Sequence, residues 1–328
     1  MPPIEMRDLY IAKAAIRRYA RHTPLVRSRV LSAHLQGEVY LKLECLQQTG
    51  AFKVRGAANR LAHLASDERA RGVIAFSTGN HGRALAWVGK QMGVRVVVCV
   101  PESVLPHKVA AMQDLGAEVH IVGADQDSAE AEALAMAAGE ELSWVSPFDD
   151  PWIIAGQGTI GLEILEELPH VDVLLAPLSG GGLLGGIALA MKSASQKIRT
   201  LGVTMERGPG MVASLAAGKP VPVIEESTLA DSLVGGIGLE NRYTFDLVRR
   251  VVDETVVVSE SEIAHAMLYA LKEEKAVVEG GGAVALAALL AGKVDVQGKT
   301  VACVVSGGNV DMKLLARMLA EEELRGTQ

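Results

Sequence analysis

Val171-Asp172-Val173-Leu174-Leu175-Ala176-Pro177-Leu178-Ser179-Gly180-Gly181-Gly182-Leu183-Leu184-Gly185-Gly186 joins an apolar run of strand length to a glycine cluster, and a stretch compatible with a helix follows. An apolar run without alternation reads as a strand covered on both faces, the habit of parallel sheets. Glycines between such a strand and a helix let backbone N–H groups approach a phosphate, and the positive end of the helix favours its charge. The competing reading is a tight turn that only lets helix and sheet pack closely. The cluster matches neither the dinucleotide fingerprint, which needs a downstream acid at a set distance, nor a P-loop, which ends in Gly-Lys-Ser/Thr.

The same grammar recurs along the chain. Short β-branched runs at Val39–Leu43, Val73–Phe76, Val94–Val100, Glu118–Val122, Thr200–Thr204, Thr255–Ser259 and Val301–Ser306 predict strands. Three- and four-residue apolar spacing at Ala84–Met92, Lys108–Leu115, Ala129–Ala138, Ile153–Leu165 and Ile263–Leu271 predicts helices. Strand and helix alternate, so an α/β architecture of open, twisted, mostly parallel sheets flanked by helices is expected. A length of 328 residues suits two lobes sharing a cleft. Turn signals around Ser146–Pro151 place a small lobe at residues 53–147, with residues 1–52 and 148–328 forming the larger one.

Composition narrows the function. The net charge of −7 carries no Lys/Arg cluster, so no nucleic-acid partner is expected. Cys45, Cys99 and Cys303 lie far apart, which indicates neither a disulfide framework nor a CxxC metal site. Charges scattered through Met1–Arg21 interrupt any signal-peptide core, and no apolar run is long enough to cross a bilayer. A cytoplasmic location with no membrane partner is the expectation.

Three further segments share the strand–turn–helix context. Thr49-Gly50-Ala51-Phe52-Lys53-Val54-Arg55-Gly56 puts a lysine where a helix begins, a position where most lysines are simply solvated. Ser77-Thr78-Gly79-Asn80-His81-Gly82 sets hydroxyls, an amide and an imidazole beside helix N-terminal amides, which suits a carboxylate. Ser77 and Thr78 read equally as N-caps, and His81 as a satisfied structural histidine. Ser306-Gly307-Gly308-Asn309-Val310-Asp311 closes the last strand. Ligands of open α/β sheets sit beyond the carboxyl ends of the strands, so all four turns can face one crevice.

Taken together, these four motifs, with Ile154-Ala-Gly-Gln-Gly-Thr159 and Val278-Glu279, resemble the serine/threonine dehydratase family of fold-type II pyridoxal phosphate enzymes over nearly the whole chain. Among its branches the sequence looks nearest to hydroxyectoine-utilisation and phenylserine-type dehydratases. The resemblance implies a tryptophan-synthase-β-like fold with the active site between the lobes, and a homodimer or homotetramer. It also implies an ammonia-lyase that removes water from threonine, serine, phenylserine or a hydroxyectoine-derived hydroxy amino acid, giving a 2-oxo acid and ammonia.

By the same resemblance Lys53 carries pyridoxal 5'-phosphate covalently and acts as the catalytic base, Phe52 packs against the ring, and Asn80 hydrogen-bonds the ring hydroxyl. Gly180, Gly181, Gly182 and Leu183 cradle the phosphate, and Gly238 and Glu279 line the pocket. Ser306 meets the pyridine nitrogen, where a neutral hydroxyl supports a weaker electron sink than an aspartate would. Ser77, Thr78, Gly79 and His81 receive the substrate carboxylate. Departures exist. Racemases of the family have serine at the position of Thr78, and a magnesium site of some relatives falls on Thr204 and Gly210, so no metal is expected, although backbone carbonyls can hold a monovalent cation. Amino acid racemisation, β-replacement synthesis and a non-catalytic regulatory role for bound cofactor stand as alternatives. Retention of Lys53, Asn80 and Ser306 together argues against the last.

Overall fold

The computed structural model describes residues 4–124 and 126–326, without the side chains of residues 126, 127, 325 and 326. Its strands are β1 Leu25–Arg27, β2 Glu38–Leu43, β3 Val73–Phe76, β4 Val96–Val100, β5 Glu118–Ile121, β6 Ser143–Trp144, β7 Val173–Pro177, β8 Arg199–Met205, β9 Glu254–Val258 and β10 Thr300–Val305. Each run read as a strand overlaps one. The additional strands β1 and β6 have three and two residues, too short for any periodicity to register.

Two sheets result, one of six strands ordered β1-β2-β10-β7-β8-β9 and one of four ordered β5-β4-β3-β6. Only β1 with β2 is antiparallel. Helices cover both faces, so β4 and β7 are buried along their whole length and need apolar side chains on both sides. This is the expected α/β arrangement.

Strand order explains where a ligand can sit. From β7 the chain steps outward through β8 and β9, then returns to lay β10 on the other side of β7. The smaller sheet reverses likewise, stepping from β3 to β4 and β5 before β6 joins β3 from the opposite side. Such reversals open a crevice beyond the carboxyl ends of the strands. The turns after β2, β3, β7 and β10 are the four segments singled out above.

Helices Lys53–Ala62, Pro151–Glu167 and Gly182–Ala194 cross at glycines. A Cβ on Gly156 would lie 2.6 Å from the Arg55 carbonyl oxygen, and one on Gly186 would lie 2.4 Å from that of Ile154. The Gly56 amide donates to Gln157 Oε1 at 3.2 Å. Ile154–Thr159 is therefore a packing motif that locks the lysine-bearing helix in place. Among the described residues, no helix is long and apolar enough to cross a membrane.

Candidate active site

One cavity of about 1910 Å³ is lined by Phe52 and Lys53, the turn at 77–81, the glycine loop at 180–183, Gly238, Glu279 and Ser306. The residues to which the resemblance gives a cofactor or substrate role thus line one cavity. The volume exceeds the ~300–1,000 Å³ of ordinary ligand pockets, so cofactor and substrate can be held together.

Lys53 is the first residue of its helix, and its Nζ donates to the Pro147 carbonyl at 2.7 Å. The Nζ also stands 5.2 Å from the centre of the Phe52 ring. Burial lowers the pKa of this amine from 10.5 to about 8, with the Glu279 carboxylate acting in the other direction. The loop that delivers Lys53 is pinned to the loop after β10. Phe52 N donates to Ser306 O at 3.0 Å, and Gly308 N donates to Gly50 O at 2.8 Å. Gly50 has φ +75°, and a side chain there would meet the Asn309 carboxamide.

The glycine loop could hold no other residue. A Cβ on Gly180 would lie 2.3 Å from the Phe148 ring and one on Gly182 would lie 2.9 Å from the Phe148 carbonyl oxygen, while Gly181 has φ +88°. Gly181 caps the helix Gly182–Ala194, whose first amides have no partner within the helix. The result is a cradle for an anion. Asp149, next to Phe148, accepts from the amides of Arg242, Tyr243 and Thr244 at 2.7–2.9 Å and so fixes the neighbouring wall.

In the turn at 77–81, Ser77 Oγ accepts from Gly82 N at 2.9 Å and Gly79 N at 3.3 Å. The N-cap of helix Asn80–Met92 is Gly79 rather than Ser77 or Thr78, and Ser77 serves the third helical amide from two residues ahead of that cap. His81 Nε2 donates to Val145 O at 3.1 Å. Burial, with Lys53 nearby, lowers its pKa to about 3, so the ring is neutral and its buried Nδ1 has no protein partner. Nothing lies within 4 Å of a Cβ built on Gly79, which leaves open space beside Thr78 and the first amides of helix Asn80–Met92.

Glu279 is 6% exposed. It accepts from Asn80 Nδ2 at 2.6 Å and Ser232 Oγ at 3.4 Å. Burial above all, and Asp231 next, push its pKa up to about 7 against these hydrogen bonds. Ser306 is also buried at the cavity wall, at the end of β10.

Beneath the lysine lies a charge cluster to which the motif reading assigned no role. Arg55, 1% exposed, donates twice to Glu44 at 2.8 Å and to Glu163 at 2.6 and 2.8 Å. Lys42 Nζ reaches Glu163 at 2.7 Å. These two cations and two carboxylates cancel and tie the lysine-bearing helix to the end of β2 and to helix Pro151–Glu167. No spacing rule reveals the pairing, because Arg55 and Glu163 lie far apart in sequence.

A family model described as pyridoxal-phosphate dependent enzyme matches residues 16–307. An L-threonine ammonia-lyase of Thermotoga maritima is 43% identical over 316 residues, covering 96% of this chain and 78% of that protein. The solved structure of maize serine racemase superposes with a TM-score of 0.91 at 31% identity, covering 100% of both chains. The threonine deaminase of T.th. gives 0.86 at 37% identity, covering 94% of this chain and 99% of that one. The cavity fits such a cofactor. Gly180–Gly182 back onto Phe148 and Met211 with no room for a Cβ, so bare backbone lines the cavity there, and Lys53 lines the same cavity. The chain belongs to the pyridoxal-phosphate dependent enzymes, within their serine/threonine dehydratase family, and its cofactor is pyridoxal phosphate.

Proposed function

We propose that this chain is an ammonia-lyase that removes water from a β-hydroxy amino acid, threonine first among them, and releases a 2-oxo acid and ammonia. The observation that carries the reading is the half-buried Lys53 amine in a cavity that also holds an anion cradle and an open carboxylate turn. Serine, phenylserine and hydroxyectoine-derived hydroxy amino acids are further candidates, and a cytoplasmic homodimer or homotetramer belongs to the same proposal.

Bound in the cavity, pyridoxal phosphate supplies an electron sink for the carbanion formed at the substrate Cα. Lys53 Nζ, its pKa lowered to about 8, takes the Cα proton in its neutral form as general base. The Thr78 hydroxyl and the amides that open helix Asn80–Met92 hold the substrate carboxylate, and the Ser77 hydroxyl oxygen stiffens that turn from behind. Gly180–Leu183 would hold the cofactor's phosphate through backbone amides, and Asn80 and Ser306 would lie at its ring. The Cβ–OH bond then breaks, the departing hydroxyl takes back the proton that Lys53 Nζ has accepted, and water leaves. The enamine product tautomerises to the imine, gaining a proton at Cβ as the nitrogen loses one, and water hydrolyses the imine to a 2-oxo acid and ammonia.

A panel of β-hydroxy amino acids, scored for 2-oxo acid, ammonia and change of configuration, tests the reading. Release of both products from threonine supports it. Inversion without either product would favour racemisation, the second reading, which the likeness to maize serine racemase keeps open.

The depressed lysine gives a further expectation. Only the neutral amine attacks an aldehyde, so capture of pyridoxal phosphate by the apoprotein should quicken with pH and level off above a midpoint near 8, not near 10.5. Stopped-flow absorbance, with a free alkylamine run in parallel to correct for ionisation of the cofactor itself, measures it. A midpoint at the free lysine value would show that the amine is solvated.

A further inference from the structure

Asn309 stands in the loop after β10, and the reaction just described gives it no task. Its Nδ2 donates to the Thr49 backbone carbonyl at 2.8 Å and to Asn80 Oδ1 at 2.7 Å. Asn80 in turn donates from Nδ2 to Glu279 Oε1 at 2.6 Å. The Thr49 end of this row is unambiguous, because a backbone carbonyl can only accept. The carbonyl of Thr49 requires the nitrogen of Asn309 to face it. That nitrogen then faces Asn80, which must answer with its oxygen and turn its own nitrogen to Glu279. Rotating the Asn80 amide by half a turn would set its nitrogen against the nitrogen of Asn309. One orientation survives.

We propose that Asn309 is a positioning residue: together with Glu279 it locks the Asn80 carboxamide so that this residue meets the ring oxygen of the cofactor as a hydrogen-bond donor. The inference rests on the proposed placement of pyridoxal phosphate beside Asn80. One hydrogen of Asn80 Nδ2 is spent on Glu279, and the second is left for the cavity that Asn80 lines. A donor favours the ionised ring oxygen over the neutral hydroxyl, since hydrogen bonds to the charged form stabilise that form. Without Asn309 the amide can present its oxygen, and the preference weakens. Gly50 belongs to the same device. The Asn309 carboxamide occupies the space where a Cβ on residue 50 would lie, with Oδ1 at 2.4 Å, so the glycine leaves Asn309 room to reach across from the loop after β10 to the helix after β3.

The test follows the visible spectrum of the loaded protein against pH, and its affinity for pyridoxal phosphate, in the parent, N309A and N80A. N309A is expected to raise the midpoint of the protonation-sensitive absorbance by about one unit or more. Cofactor affinity should fall about tenfold, and N80A should do the same. Alanine here removes a packed carboxamide, so N309S is measured as well. Both hydrogen bonds leave from the same Nδ2, so serine is too short to make either, while its hydroxyl keeps a polar group in the loop. A shifted midpoint in either folded variant supports the proposal. Parent-like midpoints in both, with N80A shifted, overturn it, as does a fall in affinity with no shift, which is a packing effect. If N80A itself leaves the spectrum unchanged, the placement of Asn80 on the cofactor is wrong. If the parent takes up no pyridoxal phosphate, the proposed function fails with it.

Discussion

Replacing Lys53 by alanine should lower kcat/KM by at least about 10³-fold, or roughly 4 kcal/mol of transition-state stabilisation, while leaving the fold intact. One substitution removes both the amine that captures the cofactor and the base that takes the Cα proton, which is why the loss is large. The structural cost is small. Lys53 opens its helix, where its backbone N–H has no intrahelical partner to lose, and its side chain makes one hydrogen bond, to Pro147 O. The thermal midpoint of the K53A apoprotein should stay close to that of the parent apoprotein. Borohydride reduction of the loaded parent, followed by peptide mass mapping, should place the cofactor on Lys53. Residual activity above about 1%, a deficit of only about 2.7 kcal/mol, would exclude Lys53 as the essential base. A label on any other lysine would do the same.

Arg55→Met is expected to have the largest effect on stability, about 3–5 kcal/mol, because it leaves buried carboxylates without their partner. That is a large share of the ~5–15 kcal/mol that holds a typical domain together. Glu44 would keep only the neutral donors Thr23 and Gln47, although Glu163 would keep Lys42. Arg55→Lys should recover only part of the loss, since an ammonium cannot reproduce the paired hydrogen bonds to both carboxylates. Urea unfolding at constant m-value measures the change.

The pH dependence carries its own signature. Burial raises the Glu163 pKa, but Arg55 and then Lys42 more than reverse this, so in the parent it lies below 4.5. A depressed carboxyl adds stability that is present above its unfolded pKa and lost as pH falls through the folded value. Without Arg55 that share should shrink, so the acid limb of the stability curve below about pH 4.5 should be shallower in R55M. An R55M protein as stable as the parent at pH 7 would show that the cluster is energetically neutral.

Much of this was legible in the residues alone because it is local. A valine-rich run flanked by glycine and a helical spacing defines strand, turn and helix within some twenty positions, and parallel packing follows from apolar side chains on both faces. Four such turns with Lys53, Ser77–His81, the glycine loop and Ser306 therefore pointed to one crevice before any contact was known. What they touch was not local. Phe148 under Gly180, Arg55 between Glu44 and Glu163, and Asn309 against Asn80 join positions that no periodicity connects. Chemistry was settled at the same level. His81 is neutral, Lys53 is held near pKa 8, and Glu279 is raised to about 7, because burial removes water from each and only the assembled fold decides which charges and carbonyls replace it.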